Sequence, residues 1–106
     1  MRPRFDLLLA GLLTLATTAA WAGPADAALA KAGCVACHAP DKKLIGPSFK
    51  DIAARYKGQK DAPAQLADKV RKGGKGSWGP IPMPPSGEDK ISEADLKLAL
   101  DWVLSQ

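Results

Sequence analysis

The chain has 106 residues and a formal net charge of +4 at pH 7, a length typical of one domain and not of several. Its 15 basic residues are interleaved with 11 acidic ones, and so small an excess argues against a protein that binds nucleic acid. A surface that docks an acidic protein partner fits this balance better.

The N-terminal segment 1–22 has the layout of a secretory signal peptide. Arg2 and Arg4 give a basic start, the uncharged and mostly apolar run 7–20 follows, and Ala20–Ala22 places small residues at a cleavage point. The apolar run is shorter than the roughly 20 residues that span a bilayer, so a membrane anchor is the weaker interpretation. We expect export to the periplasm, cleavage after this segment, and a single domain over 23–106 without stable membrane insertion.

The expected mature chain contains two cysteines, Cys34 and Cys37. An exported protein can form disulfides, but a bridge across two intervening residues closes a very small loop and stabilises the fold little. A domain confined to 23–106 is also short for a self-sufficient hydrophobic core, and such chains often use a metal or cofactor as additional filling. The cysteine pair therefore calls for another explanation.

Four short helices and no alternating strand are predicted in this domain. The first covers 25–33, and the third covers 62–74 and ends in a pair of glycines. The second lies in 47–58, where Pro47 suits its start and Gly58 its end. Its apolar residues fall at the spacing of one helical face: Phe49, Ile52, Ala53 and Tyr56.

The fourth helix has the clearest start signal. Ser92 is expected to cap it, with Asp95 in the position of a capping-box partner. Ile91 before the cap and Leu96 after it form a hydrophobic staple. These residues predict a helix that begins directly after Ser92 and packs its apolar face inward.

Between the third and fourth helices, the segment 73–87 is rich in glycine and proline and is expected to be one long loop. It is too proline-rich for a helix or a central strand, because four of its residues cannot donate a backbone hydrogen bond: Pro80, Pro82, Pro84 and Pro85. Met83 stands in the middle of these prolines, and the aromatic and aliphatic residues of the segment argue against disorder.

The spacing Cys34-x-x-Cys37-His38 is the attachment motif of c-type haem. On a helical turn, residues at i, i+3 and i+4 share one face, so two thiols can reach one edge of a haem while the imidazole turns to the iron. Two alternatives remain: a redox dithiol, which predicts a βαβ context that is missing, and a zinc site, which needs a fourth ligand.

A second axial ligand is needed for a six-coordinate iron, and His38 is the only histidine. The candidates are Met83, a lysine or water. A thioether bond to haem iron is weak, and prolines on both sides of Met83 reduce the entropy lost when its sulfur is held in place. Gap-filling in a core is the other ordinary role of a methionine, but its place among the prolines favours Met83 as the ligand.

Three stretches of the chain, 31–58, 76–85 and 98–106, closely resemble the short class I bacterial cytochromes c of the cytochrome c-551 type. The resemblance covers essentially all of the expected mature chain and includes both ligand motifs in order. It implies an all-α fold of about four short helices wrapped around one covalently bound haem c.

The resemblance also assigns roles to individual residues. It implies that Cys34 and Cys37 form the thioether bonds to the haem and that His38 and Met83 are the axial ligands of its iron. The carbonyl of Pro47 would accept a hydrogen bond from the far nitrogen of His38 and so fix the ring plane.

Three further positions bear on the haem propionates and on the methionine. Trp78 would donate its indole N–H to a propionate. Lys69 stands where relatives often carry an arginine, and its ammonium cannot form a bidentate contact. Ser86 occupies the region where relatives commonly have an asparagine bonded to the methionine sulfur.

The function that the resemblance implies is electron transport and not enzymatic catalysis. We expect a monomeric periplasmic carrier that exchanges single electrons by outer-sphere transfer through an exposed haem edge. The bc complex or a copper protein would donate, and nitrite reductase or a terminal oxidase would accept. Candidates for the docking rim are the loop prolines and five lysines: Lys31, Lys42, Lys43, Lys50 and Lys75.

One enzymatic alternative remains open. A small peroxidase could use the same haem if the methionine detached to let peroxide bind. A high-spin ferric spectrum without the thioether-to-iron band would favour that alternative.

Overall fold

Four α-helices form the framework of the domain, which confirms the predicted class. The computed structural model describes residues 23–106 and Gly11; the predicted leader and its cleavage site lie outside the described residues. In the described part of the chain, no helix is long and apolar enough to cross a membrane. The helices are α1 (Pro24–Lys31), α2 (Phe49–Tyr56), α3 (Ala62–Lys72) and α4 (Glu93–Leu104).

Serine hydroxyls begin α2 and α4. The Ser48 hydroxyl accepts from the backbone N–H of Asp51 at 3.0 Å, and the Ser92 hydroxyl accepts from that of Asp95 at 3.1 Å, so each satisfies an N–H group that the helix leaves unpaired. The predicted cap at Ser92 is confirmed. The predicted start of α2 at Pro47 is early by two residues, because Ser48 takes the cap position and the helix begins at Phe49.

Part of the segment 73–87 is ordered as a two-stranded antiparallel sheet, so the prediction of one continuous loop is wrong. Its strands are β1 (Gly74–Gly76) and β2 (Gly79–Met83). We refer to residues 74–83 as the hairpin. A ribbon of two strands has no central strand, and prolines are tolerated on edge strands.

The prolines of β2 fit the ribbon because of where they fall in it. Gly79 and Met83 pair with β1, and Pro80 and Pro82 lie between these paired ends. Each strand of a two-stranded ribbon has one edge that forms no backbone hydrogen bonds to another strand. A proline is tolerated in such a strand when the N–H that it lacks would have pointed to that edge. Strand β2 could not be predicted from the sequence, because its residues do not alternate between apolar and polar.

Helix α4 is the centre of the core and packs against α1, α2 and α3. The staple residues Ile91 and Leu96 are both buried in this core, as predicted. Phe49 of α2 meets Trp102 of α4 edge to face, with ring centroids 5.5 Å apart. The core cluster contains ten buried side chains: Ala28, Leu29, Phe49, Ile52, Leu66, Ile91, Leu96, Ala99, Leu100 and Val103.

Candidate functional site

The cysteines and the histidine share a single tight turn that follows α1. Residues Cys34–Ala36 form one turn of 3₁₀-helix, entered through Gly33 at a φ of +80°, a conformation that glycine adopts without strain. The backbone N–H groups of Cys37 and His38 both donate to the carbonyl of Cys34, at 3.2 and 3.0 Å. The three side chains therefore project from one compact turn.

The thiol of Cys34 is half-buried and lies near Cys37. Burial raises the pKa of the Cys34 thiol above its usual value, and the neighbouring Cys37 raises it further. Both cysteines are free thiols in the structure. A raised pKa reduces the thiolate character on which a redox dithiol depends, so that alternative interpretation of the motif loses support.

The imidazole of His38 is fixed on several sides. Its Nδ1 lies 2.7 Å from the carbonyl oxygen of Pro47, which can only accept, so Nδ1 is the donor of this hydrogen bond. The ring stacks on Phe49 at a centroid distance of 5.5 Å and an interplanar angle of 21°. In the neutral ring, this arrangement makes Nε2 the nitrogen available to a metal.

Gly46 allows the backbone to approach this ring closely. A Cβ atom at Gly46 would lie 2.6 Å from Cε1 of His38 and 2.9 Å from its Nδ1, closer than such contacts are tolerated. The loop around it is held by the N–H of Gly46, which donates to the carbonyl of Cys37 at 2.8 Å. This role was not apparent from the sequence, because nothing local marks Gly46 apart from the proline that follows it.

A large apolar pocket opens between the helices and the hairpin. The space between its walls, together with the open solvent at its mouth, is about 1230 Å³. Each of the four helices contributes to its walls, and the hairpin forms the remaining side. One wall residue from each helix, in chain order, is Leu29, Ile52, Leu66 and Leu100, so a group that filled the pocket would be part of the hydrophobic core.

Met83 reaches this pocket at the end of β2. The chain passes very close to Gly73, where a Cβ atom would collide with the carbonyl oxygen of Met83 and lie 2.8 Å from the nitrogen of Pro85. Gly73 has a φ of +66° and a ψ of −153°, which a residue with a side chain adopts only with strain. A glycine at this point is therefore what lets the segment around Met83 lie against the end of α3.

The segment after Met83 is tied to α3 by further hydrogen bonds. The N–H of Ser86 donates to the carbonyl of Val70 at 2.8 Å, and Arg71 donates through Nη1 to the carbonyls of Ile91 at 2.7 Å and Ser86 at 3.3 Å. Ser86 is only 8% exposed. These bonds hold the backbone on the C-terminal side of Met83, and the roles of Arg71 were not apparent from the sequence.

Trp78 and Lys69 also line the pocket. The ammonium of Lys69 lies beside the backbone of Gly74, at 3.4 Å from where a Cβ atom there would stand. Trp78 is 37% exposed, and the guanidinium of Arg55 lies over its ring with Cζ 3.5 Å from the centroid. This role of Arg55 was not apparent from the sequence, because Ser77, its other partner at the hairpin, lies 22 positions further along the chain.

The structure brings six of the seven predicted site residues to one pocket: Cys34, His38, Pro47, Lys69, Trp78 and Met83. Cys37 lies on the same turn but does not line the pocket. Of the lysines proposed for docking, Lys43 and Lys75 border the pocket. Lys50 borders a different groove, between α2 and the C-terminus.

The residues present fit a covalently attached haem. The pocket is apolar, opens to the surface and lies against a turn that carries two free thiols. It presents one imidazole with a fixed tautomer and one thioether, both donors that haem iron accepts. Among residues 23–106, no three His, Cys, Asp and Glu side chains gather in a manner suited to a bare metal ion.

Comparisons with known proteins agree with this fit. The family model described as "Cytochrome c" matches residues 26–106. The chain is 43% identical to cytochrome c-551 of Pseudomonas aeruginosa over 106 residues, which are 100% of this chain and 99% of that protein. It is 53% identical to cytochrome c2 of Rubrivivax gelatinosus over 83 residues, covering 78% of this chain and 96% of that protein.

A solved structure gives the same answer for the fold. The crystal structure of Nitrosomonas europaea cytochrome c552 matches with a TM-score of 0.70 and 44% identity, over 76% of this chain and 96% of that one. Relatives of this family carry one haem c bound through two cysteines, and this chain has both. The chain therefore belongs to the cytochrome c family and is a small haem-binding electron carrier of the cytochrome c-551 type.

Proposed function

We propose that this chain is exported to the periplasm, loses the segment 1–22, and works there as a monomeric carrier of single electrons between redox proteins. The observation that carries the proposal is the meeting of Cys34, His38 and Met83 at one apolar pocket. Haem c, when bound, supplies an iron that changes between two oxidation states. The protein's part is to hold that group, to set its potential and to present its edge.

In this proposal, Cys34 and Cys37 would hold the haem through thioether bonds, and His38 and Met83 would ligate its iron. The carbonyl of Pro47 supports the role of His38, because its hydrogen bond keeps the proton on Nδ1 and leaves Nε2 for the iron. Pairing a histidine with a thioether raises the reduction potential relative to two nitrogen ligands.

Trp78 and Lys69 are the residues that we expect to bind the haem propionates. Both line the pocket near the hairpin, where an indole N–H and an ammonium can meet carboxylates. Lysine supplies a point charge without the planar fork of arginine. If the propionates lie at this side of the pocket, these two side chains would supply them with hydrogen-bond donors.

Transfer to a partner would be outer-sphere, at the mouth of the pocket. Ile45 and Ile81 line the pocket and are 56% and 61% exposed, so they form an apolar rim. Lys43 and Lys75 stand on the same border and would attract an acidic partner. Partners of this kind are membrane or periplasmic redox proteins, with the bc complex or a copper protein as donor and nitrite reductase or a terminal oxidase as acceptor.

This proposal includes no enzymatic step, because His38 and Met83 together would leave no position on the iron open to a substrate. The test is covalency. After periplasmic expression with haem maturation and acid–organic extraction, the intact mass should be that of residues 23–106 plus one haem. Cys34→Ser should keep one thioether bond, and the double variant with Cys37→Ser should lose the haem. A wild-type chain that is lighter by a whole haem after extraction would contradict the proposal.

A further inference from the structure

Arg55 of α2 makes two contacts with the tip of the hairpin. Its guanidinium stacks on the ring of Trp78, with Cζ 3.5 Å from the centroid, and its Nη1 donates to the backbone carbonyl of Ser77. Both contacts fall on the short connection between β1 and β2. They join a helix of the core to a distant ribbon, since 22 residues separate Arg55 from Ser77.

The ribbon needs such external contacts. A two-stranded hairpin is marginal in water by itself, and this one has glycines at both paired positions of β1 and two prolines in β2. Its base adjoins the end of α3, where the N–H of Gly73 donates to the carbonyl of Lys69 at 2.7 Å. At the opposite end, within the described part of the chain, the hydrogen bond and the stacking contact that tie the tip to a helix are those of Arg55.

The chemistry of the contact is specific to arginine. The guanidinium is a planar cation that stacks on an aromatic face and still directs an N–H to a carbonyl, whereas an ammonium cannot do both in this geometry. The two ion pairs among the described residues, Lys72–Asp68 and Lys97–Asp101, do not involve Arg55. The ring of Trp78 and the carbonyl of Ser77 are therefore the partners of its guanidinium.

We propose that Arg55 is a positioning residue that fastens the tip of the hairpin to α2 and thereby keeps Met83 at the pocket. The hairpin transmits the effect because Trp78 directly precedes β2 and Met83 ends it. If the tip opened, β2 would separate from β1, and Met83 could then move out of the pocket. The second half of this inference rests on the proposed role of Met83 as an iron ligand, and the first half does not.

The first measurement is amide hydrogen exchange of the haem-bearing protein. An exposed cation–π contact and a solvent-exposed hydrogen bond, each taken at the low end of its usual range, together correspond to a roughly tenfold change in the opening equilibrium. Arg55→Gln should therefore speed the exchange of the Gly79 and Met83 amides roughly tenfold, and Arg55→Lys should speed it less. Leu100, in the core of α4, should keep its rate, because the change is local to the hairpin.

The second measurement is the binding of added imidazole to the ferric protein. Imidazole competes with Met83 for the iron, so it binds more tightly when Met83 dissociates more often. Arg55→Gln should therefore bind imidazole roughly tenfold more tightly than wild type. The control is Lys50→Gln, which removes a charge from the same helix but borders the other groove. Its imidazole affinity should stay within about twofold of wild type, well below one decade.

The outcomes separate the two claims. Unchanged exchange of the hairpin amides in Arg55→Gln would overturn the fastening role. Faster exchange with unchanged imidazole affinity would overturn the link to Met83. A wild-type ferric spectrum without the thioether-to-iron band would contradict the ligand assignment under Proposed function, while the exchange data would still decide whether Arg55 fastens the hairpin.

Discussion

Nδ1 of His38 lies 2.7 Å from the carbonyl oxygen of Pro47, and Gly46, which precedes that proline, lies directly against the imidazole ring. One short loop therefore sets both the tautomer and the position of the ring. Because a carbonyl oxygen can only accept, the proton is held on Nδ1 and the lone pair of Nε2 is left for a metal.

The close approach of Gly46 makes a first prediction. Gly46→Ala places a Cβ atom 2.6 Å from Cε1 of His38, so the ring must shift, at a cost of about 1–3 kcal/mol typical of overpacking. We expect a lower denaturation midpoint and a lower yield of haem-bearing protein. Leu44→Ala, an exposed position in the same loop, is the control. Equal midpoints for Gly46→Ala and wild type would show that the ring is not confined there.

Gly73 gives a second prediction, directed at the opposite side of the pocket. Gly73→Ala combines a strained φ of +66° with a collision against the Met83 carbonyl, and strain of this kind costs about 1–3 kcal/mol. We expect the thioether-to-iron band of the ferric protein to weaken and to disappear at a lower temperature than in wild type.

The control for that variant is Gly58→Ala. Gly58 also has a positive φ, of +79°, but a Cβ atom there would lie more than 4 Å from every atom outside Gly58 and its two chain neighbours. It should therefore lose stability through backbone strain while keeping the band at wild-type strength. If both variants kept the band equally well, the contact between Gly73 and the Met83 segment would not matter for ligation.

The prolines beside Met83 carry a third prediction. Replacing both Pro82 and Pro84 by Ala frees the backbone on each side of the methionine, and each such change is worth about 0.4–1 kcal/mol. Together they should shift the equilibrium between bound and dissociated Met83 roughly tenfold toward dissociation. Imidazole or cyanide should displace the methionine more readily, while the helix content measured by circular dichroism stays near wild type. Wild-type rates of ligand exchange in this double variant would assign the prolines another role, such as shaping the docking surface.

The lysines of the pocket border carry a fourth prediction. Screening by salt shortens the reach of surface charges to about 8 Å at physiological ionic strength, so the rate of electron transfer with an acidic redox protein should fall as salt rises. Lys43→Gln and Lys75→Gln should flatten this dependence, and Lys50→Gln should not, since Lys50 borders the other groove. A wild-type rate independent of salt would instead assign docking to apolar contacts around Ile81.

Local patterns made much of this fold predictable. The Cys34–Cys37–His38 spacing is confined to one turn, and the Ser92 cap to one helix end, so each can be read from a few neighbouring residues. The contact of Pro47 with His38 spans nine residues and was expected only through resemblance to a family. Its presence shows that this loop closes in the way the resemblance implies.

Other features could not be read in this way because they join distant parts of the chain. Arg55 meets Ser77 across 22 residues, and no periodic pattern links the two positions. Gly73 is required by the approach of Met83, which depends on the path of the hairpin and not on the residues beside the glycine. The strand β2 was missed because its prolines conceal an edge strand that pairs through Gly79 and Met83.

Axial ligation of the iron by His38 and Met83 underlies the proposed function, and a comparison of wild type with Met83→His is its decisive test. We expect a thioether-to-iron band in ferric wild type and no such band in the variant. The reduction potential should be lower in the variant, because imidazole favours ferric iron more than a thioether does. Absence of the band from wild type, or an unchanged potential in the variant, would contradict this ligation.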